Sequence, residues 1–185
     1  HQIVTPTNFA IPSAGLGIRL KDQPLDKERR LRTLKIPAAL AFARANRIDK
    51  VVLNSARPRL GIVCQGQAYK DVIEAFAAMR ISFEEAASLG VVIYKVGMPW
   101  PLEPQGLKAF AAGLETLMVI EHKRPLIETQ ARAALYDLPA HARPRIIGKT
   151  DEVGHPLLSE LASLSVAEVA LAIADRLPPG PHMER

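Results

Sequence analysis

Cysteine is almost absent from this chain. Cys64 is the single one in 185 residues, which excludes an internal disulfide framework and any iron–sulfur cluster held by these residues alone. The five histidines, His1, His122, His141, His155 and His182, show no metal-ligand spacing, so no metal site is expected. Aromatic residues make up only 5%, so the core must be aliphatic and rich in alanine. No apolar run reaches the roughly 20 residues of a membrane span, and no secretory pattern opens the chain. It begins at His1 instead of methionine and reads as a piece of a longer, cytoplasmic polypeptide. Also missing are the G-x-S-x-G elbow, the H-E-x-x-H helix and the two glycine-rich phosphate loops, G-x-G-x-x-G and G-x-x-x-x-G-K-[ST]. A self-sufficient enzyme is thereby excluded more firmly than it is supported, and no catalytic residue is assigned.

What is present suits one domain with extensions: 185 residues, 48% of them hydrophobic, enough for a sizeable core. The net charge of +5 is uneven, with twelve Lys/Arg against four Asp/Glu in residues 1–60. Those cations are spread along an amphipathic helical pattern with only Phe9 and Phe42 as aromatics. That pattern reads as a solvated helix or one docked on an acidic neighbour, with no nucleic-acid partner.

Residues 1–57 read as a linker followed by a helical extension. Pro6, Pro12, Pro24, Gly15 and Gly17 break any periodicity, Asp26 can cap a helix, and Pro37 fits either a kink or the first turn of a second helix. Residues 58–150 alternate regularly. LGIVC, VVIYKV, TLMVI and RIIG are short apolar strands covered on both faces. Helical spacing follows the first, in Tyr69, Val72, Ile73 and Phe76, and Ser82 with Glu85 forms a capping box. Pro104 and Pro125 open two further helices. Residues 151–185 form a tail whose helix starts at a second S-x-x-E box, Ser165 to Glu168. The class is therefore α/β: a three-layer, mostly parallel open sheet with helical extensions at both ends.

In such sheets the loops at the carboxyl ends of the strands line the ligand crevice. CQGQAY, KVGMPWPLEP, EHKRP and GKTDEVG occupy those ends, and the candidate binding or interface residues are Gln65, Gly66, Gln67, Lys95, Trp100, Glu121, His122 and Lys123. Gly66 precedes a helix whose free amides could take an anion. Trp100 sits among three prolines as a stiff aromatic anchor. Glu121 and His122 are capable of proton transfer, but adjacent strand residues point to opposite faces. Structural pairing of that pair with Lys123, Arg124 or a nearby helix is the simpler reading. Cys64 should be buried and inert.

GVVIYKVGMPWPLEPQGLKAFAAGLETLMVIEHKRPLIETQARAALYD, at residues 90–137, resembles the indolepyruvate ferredoxin oxidoreductases among the thiamine-diphosphate-dependent 2-oxoacid oxidoreductases. PAALAFARANRIDKVV before it and GKTDEVGHPLLSELASLSVAEVALAIADRL after it extend the likeness over residues 24–177. The resemblance implies a fragment similar to the transketolase carboxy-terminal domain, whose sheet usually includes an antiparallel strand. It further implies a parent enzyme that converts an aryl pyruvate and coenzyme A to an acyl-CoA and carbon dioxide while reducing ferredoxin. In related transketolase-type domains an acidic or Glu-His pair follows the strand matching Ile120, as Glu121-His122 does here. The resemblance places thiamine diphosphate, Mg and iron–sulfur clusters in the parent's other domains. No G-D-G…N thiamine motif or C-x-x-C occurs here, so no cofactor is expected in this fragment and it should be inactive alone. Its expected partners are the other domains of the same chain, with a homodimer left open and no membrane. The alternatives are a non-catalytic, flavodoxin-like module binding coenzyme A or another anion, or a structural interaction domain.

Overall fold

The computed structural model describes residues 2–179; His1 and His182 lie outside the described residues. The chain divides into two compact units, residues 1–48 and 49–185.

In the first unit a proline-rich segment precedes helix α1 (Pro24–Arg30), a π-helical stretch (Leu31–Lys35) and helix α2 (Ile36–Ala45). Pro37 settles the local geometry. A proline inside a continuous helical path cannot donate to the carbonyl four residues back, and its ring crowds that carbonyl. The widened π turn, in which Ile36 N–H reaches Leu31 O, accommodates it. The helical path thus continues through Pro37 instead of restarting there. Asn46 holds the start of the unit by pairing with both the N–H and the carbonyl of Val4, each at 2.8 Å. Among the described residues of this unit only Ala41 and Ala43 are buried. Phe9, Ile11, Leu16, Ala38, Ala39 and Phe42 help line an open apolar cleft of about 400 Å³.

The second unit is the sheet. Its strands are β1 (Lys50–Leu53), β2 (Leu60–Gln65), β3 (Val91–Val96), β4 (Thr116–Ile120) and β5 (Arg145–Ile147), in the spatial order β1-β3-β2-β4-β5. The last four are mutually parallel and β1 runs antiparallel to β3. This is the mostly parallel α/β sheet expected, and the antiparallel strand that the family resemblance implied is β1. The boundary read at residues 57–58 falls after that strand, which joins the sheet and not the extension. β1 is only four residues long and comes soon after α2, so it carried too little periodicity to be read.

Alternation along the strands sends side chains to two apolar layers. Ile62, Cys64, Ile93, Met118, Ile120 and Ile147 face helices α3 (Gly66–Ala78), α4 (Phe83–Ser88) and α7 (Val166–Ala174). Val63, Val92, Tyr94, Leu117 and Val119 face α5 (Pro104–Ala111) and α6 (Leu126–Leu135). Each fully buried Leu, Ile or Phe of these layers contributes about 1.5–3 kcal/mol, so the layers dominate the stability of the unit. Gly61 suits this packing, because a Cβ there would press on the side-chain ends of Leu114 and Phe110.

The capping box of α4 is complete, with Ser82 and Glu85 each bonding the other's backbone N–H. The second box is only half formed. Ser165 accepts from Glu168 N–H at 3.1 Å, but the Glu168 carboxylate turns to Ser159 N–H at 2.7 Å.

Candidate functional site

Parallel pairing puts the carboxyl ends of β2 to β5 on one rim, so the four polar loops gather there. After β2 the chain turns toward β3 through α3, on one face. After β4 it turns toward β5 through α6, on the other. β2 and β4 are neighbours whose connections part in opposite directions, and a crevice opens at such a switch point. Gln65-Gly66 and Glu121-His122 stand on its two sides, one step past the Cys64–Ile120 pairing.

Gly66 adopts φ +51°, a left-handed conformation that disfavours side chains, although, its chain neighbours and own helix backbone aside, no described atom lies within 4 Å of its Cβ position. Gln65 makes no capping hydrogen bond, so the first turn of α3 presents its amides at the crevice. Gln67 reaches along α3 to Asp71 Oδ1 at 2.9 Å, and Lys95 lays its ammonium 4.5 Å over the Tyr69 ring.

His122 is held from both sides. Its Nδ1 accepts Leu164 N–H at 3.0 Å, and Nε2 lies 2.8 Å from Asp71 Oδ2. A nitrogen that accepts an amide proton carries none itself, so the proton sits on Nε2 and is donated to the carboxylate. The ring is therefore neutral and oriented, with neither nitrogen left over. Glu121 faces elsewhere, as adjacent residues should. It is buried and accepts from Leu126, Ile127 and Glu128 N–H at 2.8–3.1 Å, covering the first turn of α6. The negative carboxylate also matches the positive end of that helix. The partners of the Glu-His pair are thus helices α6 and α3, not Lys123 or Arg124. Lys123 takes φ +57° and is exposed, as is Arg124.

A second buried network lies beside it. Lys149 donates to the Glu121 carbonyl at 2.5 Å and the Ser159 carbonyl at 3.1 Å, while Glu128 Oε2 accepts Lys149 N–H at 2.9 Å. Gly148 makes room for this, since a Cβ there would collide with Glu128. Burial pulls the Lys149 ammonium below its usual range, against the opposing field of Glu121, Glu128, Glu160 and Glu168. Burial likewise pushes the Cys64 thiol up to about 12, which removes it as a nucleophile.

Trp100 is 54% exposed in a loop whose backbone is tied down. Asp49 accepts Gly97 and Met98 N–H, and Gln130 holds Leu102 N–H and the Pro99 carbonyl. Among the described residues no three His, Cys, Asp or Glu side chains group as a metal site would require.

Asp71, Glu128, Gln130, Lys149 and Asp49 escaped the reading of the sequence. Asp71 left a trace: with Ala68, Val72, Ala75 and Phe76 it occupies the buried face of α3, and a carboxylate at an apolar position needs a partner. Glu128 leaves the same trace beside Ile127 and Ala131 on α6. Gln130 and Asp49 look like ordinary surface residues.

Residues 50–183 match the family model described as "Indolepyruvate oxidoreductase domain". The chain is 30% identical over 99 residues to indolepyruvate oxidoreductase subunit IorA of Thermococcus kodakarensis, covering 50% of this chain and 14% of that protein. It is 32% identical over 79 residues to the Pyrococcus horikoshii subunit IorA, covering 43% of this chain and 11% of that protein. It therefore spans only a small part of the curated relatives it matches. Among solved structures it is similar to a 2-oxoglutarate:ferredoxin oxidoreductase from Magnetococcus marinus, with a TM-score of 0.47, 15% identity, and coverage of 83% of this chain and 23% of that one. It is also similar to a split-gene transketolase, with a TM-score of 0.43, 16% identity, and coverage of 69% and 40%. By the match over residues 50–183, this chain belongs to the indolepyruvate oxidoreductase domain family.

Proposed function

We propose that this chain is the wall and docking domain of an indolepyruvate:ferredoxin oxidoreductase. The parent converts an aryl pyruvate and coenzyme A to an acyl-CoA and carbon dioxide, and its electrons pass to ferredoxin. Thiamine diphosphate with Mg supplies the decarboxylation chemistry and iron–sulfur clusters carry the electrons, all held by other domains of the parent. The observation that carries this reading is the full engagement of the Glu-His pair. Glu121 is spent on three amides and His122 on Asp71 and Leu164, so neither is free to move a proton for a substrate. The pair instead fixes the crevice edge in shape.

The test is aryl-pyruvate- and coenzyme-A-dependent reduction of ferredoxin by the purified full-length parent polypeptide. Turnover is expected from the parent and none from the 185-residue chain alone. In the parent, His122→Gln, which can still donate to Asp71, should keep its rate within about threefold. General acid–base catalysis is worth about 100-fold or more, and a loss of that size in a folded variant would overturn the wall reading. A second reading, a coenzyme A or anion module, draws on the uncapped first turn of α3. Saturable coenzyme A binding to the 185-residue chain, abolished by Gly66→Val, would favour it.

A further inference from the structure

Trp100 has a fixed backbone and a free side chain, and that combination calls for an occupant. Gln130 donates to both the Pro99 and Leu126 carbonyls, at 2.8 and 2.9 Å. This brings the tryptophan loop against the start of α6, where Leu126 is 47% exposed. The indole makes no ring stacking or cation–π contact among the described residues, in contrast to Tyr69 and Tyr136. Lys123 and Arg124, just before Leu126, are exposed and form no ion pair among the described residues. The corner thus offers two large, partly exposed apolar side chains on backbone tied together by Gln130, beside two cations without an ion pair among the described residues.

We propose that Trp100, Leu126, Lys123 and Arg124 form a docking corner for an acidic surface elsewhere in the parent polypeptide, with the indole entering an apolar recess there. The proposal rests on the reading of this chain as one domain of a longer enzyme. A Trp on a tied-down loop has only two side-chain torsions to fix, so it anchors an interface at small entropic cost. Cations taken into an interface need carboxylates opposite them, which fixes the sign of the partner. A second copy of this corner would set like charges face to face. The relatives carry 86–89% of their length outside the matched segment, so a partner surface within one polypeptide has ample chain to come from.

The test is carbodiimide treatment of the full-length parent, which joins a lysine amine directly to a touching carboxylate, followed by peptide mass spectrometry. Lys123 is expected to join an Asp or Glu outside residues 1–185 of the same polypeptide. Hydrogen exchange in residues 97–103 and 123–127 is expected to be at least about tenfold slower in the parent than in the 185-residue chain. Trp100→Ala should lower the cross-link yield and release that protection, while Trp100→Phe should retain most of both. Joining of Lys123 to a second copy or to a separate protein would overturn the proposal, as would equal exchange in the two proteins. Loss of oxoacid turnover with the cross-link intact would count against the proposed function and leave the docking corner standing.

Discussion

Glu121 shows how much one carboxylate can organise. It satisfies three amides at the start of α6 and offers its own carbonyl to Lys149. Replacing it with alanine strands those amides in a buried place and leaves Lys149 facing one fewer negative group. Glu121→Ala is expected to destabilise the fold by about 2–3 kcal/mol, the cost of an unmade charge-assisted cap and its neighbours. Glu121→Gln should cost less, since one oxygen still accepts. Urea titration of both variants decides it, and an alanine variant as stable as the parent sequence would remove the cap from the account. His122 and Asp71 are 51 residues apart, so no local spacing announces their pairing. The identity of His122 as a rim residue was legible. What its ring bonds to was not, because a distant helix and the loop at Leu164 choose its partners.

At the scale of elements, the segment between β5 and α7 is fastened at several points. Lys149 bonds the Ser159 carbonyl, His122 bonds Leu164 N–H, and Arg176 clamps Glu152 through two contacts of 2.7 and 2.8 Å. The Arg176 hydrogen bonds hold the Glu152 carboxyl below its usual value of 4.5. A depressed carboxylate stabilises the fold above its unfolded pKa and loses that contribution as pH falls through the folded one. Stability should therefore decline on acidification below about pH 4.5, and Glu152→Gln should make that decline shallower. Thermal melts of both proteins between pH 3 and 7 would show an unchanged slope if the clamp does nothing. Strand and helix order in residues 58–150 could be read from apolar runs and proline or serine starts, because those signals are local. The side-by-side arrangement of the strands in the sheet could not, since it depends on which crossover covers which face. The half-formed box at Ser165 failed for a related reason: Glu168 found a better donor at Ser159.

On the scale of the whole molecule the two units differ in kind. Residues 1–48 hold nine Lys/Arg against three Asp/Glu, and the described ones bury only two alanines, too little to offset the entropy of ordering so many residues. Residues 49–185 contain both apolar layers. A piece spanning 49–185 is expected to unfold cooperatively and to remain monodisperse, whereas a piece spanning 58–185 should melt lower and self-associate. Calorimetry and light scattering on the two pieces distinguish the outcomes, and equal behaviour would mean that β1 contributes little.

The reason lies in the direction of β1. Running opposite to the other four strands, it shields the outer margin of β3, and Asp49 just before it pins Gly97 and Met98 at the base of the tryptophan loop. Cutting the chain at the first conspicuous apolar strand would strip away this hem. It would leave a bare row of amides and carbonyls ready to recruit another molecule's backbone, and the same cut would slacken the loop that carries Trp100.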